Sequence, residues 1–225
     1  MQTFVVRVWL PDRPGALGAV ASRIGAVRGD VVGIEILERG GGRAVDDLVV
    51  QLPDGALVDL LVSEIAQVDG VDVEDVRPLV DALHDPRLDA LESAAQLVAA
   101  PTVDELLAGL CERAAVTIGA QWAIVLDLDD ADVRASVGSA PPAAWLAAFV
   151  AGSRSSARVA AMEAGPDDVV WAPLPRANLA LVMGRDGHAF RARERRSAAA
   201  LARIVDTRYR EVLRRTTMAD HPSTG

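Results

Sequence analysis

Three histidines, one cysteine and no lysine leave this sequence few side chains for catalysis. His84, His188 and His221 lie far apart, in a link, at a helix start and in a tail, so no histidine pair shares a local motif. His188 reads as a polar cap rather than a haem ligand. Cys111 falls on an apolar helical stripe and reads as a small core residue. The missing lysine removes Schiff-base chemistry and the Walker lysine. Asp129, Asp130 and Asp132 have part of a calcium-loop spacing, but the Gly and Glu that complete one are missing, so a solvated turn is expected. No Gly-x-Ser-x-Gly, Gly-x-Gly-x-x-Gly, Walker loop or His-Glu-x-x-His occurs. The expectation is a chain without catalysis, metal or cofactor.

The remaining candidate for chemistry is Asp12-Arg13-Pro14-Gly15-Ala16-Leu17. Gly15 lets the backbone approach a ligand closely, and free N–H groups at a helix start can hold a carboxylate. Asp12 stands where an N-cap would. It either caps the helix or holds an α-ammonium. Pro14-Gly15 either only turn the chain or shape a site.

Alternating apolar residues predict a strand over 3–10, with Phe4, Val6, Val8 and Leu10 on one face and Val5, Arg7 and Trp9 on the other. That second face is expected to be polar or partly covered. Leu17, Val20, Ala21, Ile24 and Val27 keep helical spacing, stopped at Gly29 after Arg28. Strands follow over 31–38 and 44–52, joined by the glycine hairpin 40–42. A second helix carries Leu57, Leu60, Leu61, Ile65 and Val68. A short strand over 71–76 is closed by Pro78. The order βαββαβ is the ferredoxin-like arrangement, an antiparallel sheet with both helices on one face.

Residues 3–78 resemble an ACT domain, a small regulatory module. The likeness rests on Asp12 to Leu17 between the first strand and first helix, and on Gly29 before the second strand. It implies binding of an amino acid or similar small metabolite at an interface between paired domains. It carries the site onto Asp12, Arg13, Pro14, Gly15, Ala16 and Leu17, with Asp30, Val31 and Val32 at the start of the second strand. Where the family often has amides, this chain has Asp12 and Val31. Where some serine-binding members have a histidine, it has Leu10.

After a link over 80–87, a helix runs through Leu88, Leu91, Ala95 and Val98. Thr102 with Glu105 makes a capping box for the next helix. Residues 121–128 and 133–137 read as strands. Pro141-Pro142 open a short helix through Trp145, Leu146 and Phe149, and residues 152–158 read as a loop. Residues 169–173 and 179–183 are further strands. One long helix is expected over 188–215 and a disordered tail over 216–225. This half, about 88–213, resembles a GAF domain, a sensor fold with a central antiparallel sheet and flanking helices. The carriers are the helix pair ahead of Ala120 to Leu126, then Ala172-Pro173-Leu174, Leu179 to Arg185, Phe190, Glu194 and Leu201-Ala202. Trp122, Trp145, Phe149 and Trp171 read as core or as the lining of a cavity.

The fold class is therefore α+β, with domains at 1–79 and 88–215. Half of the residues, 51%, are apolar, enough for real cores, and no apolar run suits a membrane span. The default compartment is the cytoplasm. A net charge of −9 argues against a general nucleic-acid binder. Residues 185–215 oppose that trend, with ten arginines against four acids. Arg191, Arg193, Arg195, Arg196, Arg203, Arg208, Arg210, Arg214 and Arg215 form a solvated face, a dimerisation helix bundling with 88–99, or, least in keeping with the motifs, a nucleic-acid contact. The functional expectation is a homodimeric cytoplasmic sensor of a small molecule, with an unidentified protein as output, or a dimerisation scaffold without a ligand. An enzyme on the second domain is the weakest reading.

Overall fold

A computed structural model describes residues 1–79, 86–155 and 167–219. They form two compact units. The first runs β1 (Gln2–Pro11), α1 (Ala16–Ala26), β2 (Asp30–Gly40), β3 (Arg43–Leu52), a 3-10 turn (Gly55–Leu57), α2 (Val58–Ile65) and β4 (Asp72–Leu79). The four strands are antiparallel in the order β2-β3-β1-β4. This is the expected ferredoxin-like, ACT-like topology. Val6, Val8 and Leu10 of β1 and Leu48, Val50 and Leu52 of β3 share one face, against Val20 and Ile24 of α1 and Leu61 and Ile65 of α2. Gly41 and Gly42, with φ of 58° and 79°, make the two-residue turn that joins β2 to β3. Positive φ at both central positions matches the twist of a hairpin.

Two local details differ from expectation. The left-handed residue after α1 is Arg28, at φ 61°, not Gly29. Gly29 is needed for space, because a Cβ there would lie 2.9 Å from the Ile24 side chain and 3.1 Å from that of Leu52. Pro78 does not close β4. It pairs with Phe4, and the strand runs on to Leu79. As β4 is an edge strand, a residue without N–H is tolerated there.

The second unit contains α3 (Pro86–Ala99), α4 (Val103–Ile118), β5 (Trp122–Asp127), β6 (Val133–Val137), α5 (Ala143–Ser155), β7 (Val169–Leu174), β8 (Leu179–Gly184) and α6 (Ala192–Ala219). Its antiparallel sheet has the order β6-β5-β8-β7. Both faces are covered, as the alternation within β5 and β8 requires. Ala123, Val125, Leu181 and Met183 pack with Leu97 of α3, Leu107 and Leu110 of α4, and Leu201 and Val205 of α6. Trp122, Ile124, Ala180 and Val182 point the other way, against Leu146 and Val150 of α5. A central antiparallel sheet with flanking helices is the GAF-like arrangement expected.

Thr102 caps α4, accepting from the Glu105 amide at 3.2 Å, and its hydroxyl donates to the Glu105 carboxylate at 3.0 Å. α5 is longer than expected, taking in residues 152–155, because Ser153 turns inward and is buried there. The rest of the expected loop lies outside the described residues. Trp122 is core, and its ring occupies the space a Cβ on Gly184 would need. Trp145 is half exposed and stacks on Phe149 at 5.8 Å between centroids. α6 runs to Ala219, into the segment expected as a tail; residues 220–225 lie outside the described residues.

α6 starts at Ala192 rather than at His188, and Arg185 supplies the reason. Its side chain is buried, and each of its five N–H groups has a partner. Nε donates to the His188 carbonyl, Nη1 to the Ile118 carbonyl and Glu194 Oε1, and Nη2 to the Ala189 carbonyl and Glu194 Oε2. The guanidinium also lies 4.0 Å from the Phe190 ring centroid. Holding the carbonyls of His188 and Ala189 keeps the chain irregular until Ala192. His188 therefore precedes the helix instead of capping it. One cation thus ties together the ends of α4 and β8 and the start of α6.

Removing one partner of such a buried pair costs about 3–5 kcal/mol. Arg185→Met is expected to lower the unfolding free energy by that amount in urea titration. Arg185→Lys is expected to recover little of it, since an ammonium lacks the planar fork. Cys111 is fully buried, and burial pushes its thiol up to about 12. It is expected to resist a disulfide reagent at pH 8 in the folded protein and to react once denaturant is added.

Candidate functional site

The start of α1 has the features the loop reading needs. The N-cap position is Gly15, at φ 89°, and no side chain caps the helix. Asp12 therefore does not cap. Its backbone N–H donates to the Gly42 carbonyl at 2.9 Å, and its side chain is exposed. The Ala16 amide turns back to the Arg13 carbonyl, and the Ala19 amide begins the helical ladder at Gly15. The first-turn amides of Leu17 and Gly18 lack any capping side chain, the condition under which a helix start accepts an anion. A Cβ built on Gly15 would meet nothing within 4 Å, so the corner is open. Arg13, Pro14, Gly15 and Ala16 line a shallow recess of about 290 Å³ with Ala19, Val68 and Asp69. Leu17 lies beside the core and is partly buried.

The second group of expected site residues is elsewhere. Asp30, Val31 and Val32 begin β2, level with Gln51 and Val50 of β3. The loop begins where Pro11 pairs with Arg43. Eight residues of β3 separate the two levels, about 27 Å at strand rise. Within one chain, Asp12–Leu17 and Asp30–Val32 therefore form no common site.

β2 is an edge strand, and its helix-side residues stay open. Ile34 and Ile36 pair with Leu48 and Asp46, on the face that holds the helices, yet are 50% and 40% exposed. Val32, at a bulge between Val31 and Gly33, is 46% exposed.

The face turned away from the helices is partly polar and largely buried, as expected. Arg7 donates to both oxygens of Asp47, at 2.7 and 2.9 Å, and Arg77 adds a bond to Asp47 at 3.0 Å. Burial pushes the Asp47 carboxyl up, but hydrogen bonds and charge from Arg7, with help from Arg77, more than offset it and hold it below its usual range. The Trp9 indole donates to Glu74 at 3.4 Å. Val5 is buried on the same face.

One charged side chain in this end of the sheet escaped the sequence reading. Asp46 is only 4% exposed, and its Oδ1 has no hydrogen-bond partner. It stands between Ala44 and Leu48, both in the core, so strand alternation places it on the helix side. Burial raises its carboxyl; Arg39 draws it down, and Asp47 and Asp12 push it up further. The signal was present in the sequence, since an acid at the even positions of a strand whose other even residues are apolar breaks the pattern.

Among the described residues, no group of His, Cys, Asp and Glu is arranged to hold a metal ion, and no helix is long and apolar enough to cross a membrane. On α6, Arg208 and Arg215 pair with Glu211, while Arg203, Arg210 and Arg214 are exposed.

No family model matches the chain, and no curated protein does. Several solved structures are similar. The ACT domain of GTP pyrophosphokinase from Chlorobium tepidum matches at 16% identity and a TM-score of 0.29, over 35% of this chain and all of that one. The phytochrome photosensory core module of Stigmatella aurantiaca matches at 11% identity and a TM-score of 0.42, over 81% of this chain and 42% of that one. A formyltetrahydrofolate deformylase from Pseudomonas putida KT2440 matches at 15% identity and a TM-score of 0.28, over 43% of this chain and 38% of that one.

The sign of the Asp47 shift sets a pH dependence. An unfolded aspartate titrates near about 3.9, and the folded one lower, so the pair stabilises fully above that range. Its contribution is lost as pH falls below about 5 toward the folded value. Urea titrations from pH 7 to pH 3 are expected to show falling stability, and Asp47→Asn is expected to flatten that fall while lowering stability at pH 7.

Proposed function

We propose that this chain is a non-enzymatic regulatory sensor. The first unit binds an amino acid or similar small metabolite, and the second passes or integrates the signal. The observation that carries this reading is the uncapped start of α1 beside Gly15, open to a guest and lined by backbone donors. A carboxylate is the ligand group such a helix start favours.

Pairing of two copies completes the site. β2 offers a free edge and exposed Ile34 and Ile36, a pattern that single soluble domains avoid. A two-fold antiparallel pairing centred near the middle of β2 sets residues 30–32 of one copy beside residues 38–40 of the other. That is the end of the sheet from which Asp12 continues. The two groups of site residues, far apart in one chain, then meet across the dimer. A ligand held by both copies shifts the population toward the paired arrangement by its differential affinity. The output passes to a protein partner in the cytoplasm. The exposed apolar edge also favours a second reading, a dimerisation scaffold that takes no ligand.

Thermal unfolding with each of the twenty common L-amino acids separates the two. A true ligand at about 100 times its dissociation constant adds about 2.7 kcal/mol. The expected outcome is that one compound raises the midpoint and that Gly15→Leu, with an unchanged circular dichroism spectrum, abolishes the rise. A rise that survives Gly15→Leu refutes the loop site. Sedimentation of Ile34→Glu/Ile36→Glu is expected to show a monomer with weakened ligand response. A dimer with no response to any compound leaves the scaffold.

A further inference from the structure

We infer that α3 is a self-association helix, which lies parallel to α3 of a second copy and meets it through Leu88, Leu91, Ala95 and Val98. The inference rests on the pairing of two copies proposed above, adds a second contact to it, and needs no ligand.

α3 is apolar on two opposite sides. Its inner side is fixed within the second unit. Leu97 and Ala100 belong to the core there, and Ser93 is buried with its hydroxyl 3.3 Å from that of Thr117 on α4. A Cβ on Gly109 of α4 would sit 3.5 Å from the Leu97 side chain. Arg208 of α6 donates to the Val98 carbonyl at 3.0 Å and holds the far end of the helix. At 3.6 residues per turn, Leu88, Leu91, Ala95 and Val98 fall on the side away from Ser93, Leu97 and Ala100. Among the described residues nothing covers them: Leu88 is 52% exposed, Leu91 69% and Val98 52%, and Ala95 is exposed too. A helix packed on one side normally turns charged and polar residues to water on the other.

The spacing of this bare stripe says what fits it. Steps of three, four and three residues are the a-d-a-d of a heptad, the pattern that seats one helix on another. The charges beside the stripe then set the partner and the direction. With Leu88 at an a position, Arg87 occupies g, and Glu92, five residues on, occupies the next e. In a parallel pair a g residue of one helix stands beside that e residue of its partner, so Arg87 of each copy meets Glu92 of the other. An antiparallel pair sets Leu88 against Val98 and Leu91 against Ala95. It leaves Arg87 beside Ala94 and Glu92 beside Ala99, and no opposite charges meet. A second copy laid parallel satisfies both the stripe and its flanks.

The contact is small. Four side chains a copy fall short of the roughly 1,200 Å² of a standard interface, so α3 does not hold a dimer by itself at micromolar concentration. Once β2 joins two copies, α3 pairing is intramolecular and works at an effective concentration on the order of millimolar.

Cysteine cross-linking of the full chain tests this, since the chain's own thiol, Cys111, is fully buried. In a parallel pair residue 91 meets itself across the axis, within reach of a disulfide. Oxidation with copper-phenanthroline is expected to convert most of Leu91→Cys to a cross-linked dimer and little of Gln96→Cys, which is also exposed but off the stripe. Glu92→Arg in the Leu91→Cys background is expected to lower the yield, and Arg87→Glu/Glu92→Arg to restore it. Leu91→Glu/Val98→Glu is expected to weaken the dimer at least about tenfold in sedimentation equilibrium, with an unchanged circular dichroism spectrum. A disulfide that forms only between Leu91→Cys and Ala95→Cys chains marks an antiparallel pair and overturns the inference. No disulfide in a chain that still dimerises leaves pairing to β2 alone: the inference falls and the proposed β2 pairing stands. If Ile34→Glu/Ile36→Glu leaves the Leu91→Cys yield unchanged, α3 pairs unaided: the inference stands and the β2 pairing falls. A lower melting midpoint for Leu91→Glu/Val98→Glu at an unchanged dimer constant shows the stripe covered by its own chain, and the inference falls. So it does if species larger than a dimer form, because contacts that share no two-fold axis run on into chains. A wild type that sediments as a monomer overturns both.

Discussion

Two helices lie on the first sheet, and among the described residues nothing buries Ile34 and Ile36 of its edge strand β2. α1 and α2 bury the middle of the sheet around Val6, Val8, Leu48 and Val50, while Ile34 and Ile36 on the same face stay open. A strand at the edge keeps unpaired backbone groups, and here it also keeps apolar side chains. Asp46, one strand further in, is buried, and its Oδ1 has no hydrogen-bond partner. The helix that should cover the region begins at a glycine in a left-handed conformation, with no side chain to satisfy its first amides. The second sheet shows the contrasting solution. α5 covers one face and α3, α4 and α6 the other, and β5 and β8 are almost wholly buried.

The buried charges divide along the same line. Arg185 satisfies each of its donors on three carbonyls and one carboxylate, and it sets where α6 starts. Arg7 and Asp47 form a two-bond pair that Arg77 extends. Arg185 is satisfied on every donor, whereas Arg7 Nη1, like Asp46 Oδ1, is buried without a hydrogen-bond partner. Asp47 and Asp46 differ in direction as well as geometry: two guanidinium groups hold the Asp47 carboxyl down, whereas burial drives that of Asp46 up. Adjacent residues on a strand face opposite ways, so one Asp-Asp pair serves two unlike environments.

Element order was legible because periodicity and punctuation agreed. Strict alternation in β1 and β3, the Gly41-Gly42 turn and the Thr102 cap each have a local cause, and the structure contains each one. The misses came from tertiary causes. Gly29 looked like a helix stop, but it is small because Ile24 and Leu52 crowd it. Pro78 looked like a strand stop, but an edge position excuses its missing N–H. The start of α6 depends on a side chain seven residues earlier, which no helix signal near His188 records. At the candidate site, the loop itself was legible from Pro14-Gly15. The distance between that loop and Asp30–Val32 was not, since it depends on strand direction across the sheet. Asp46 was legible in principle, from one acid in an otherwise apolar row.

That distance bears on mechanism. A site divided between the loop of one copy and the β2 start of another couples ligand binding to pairing by necessity, because neither half binds fully without the other. The coupling is then reciprocal: whatever strengthens the β2 contact strengthens the ligand, and the reverse.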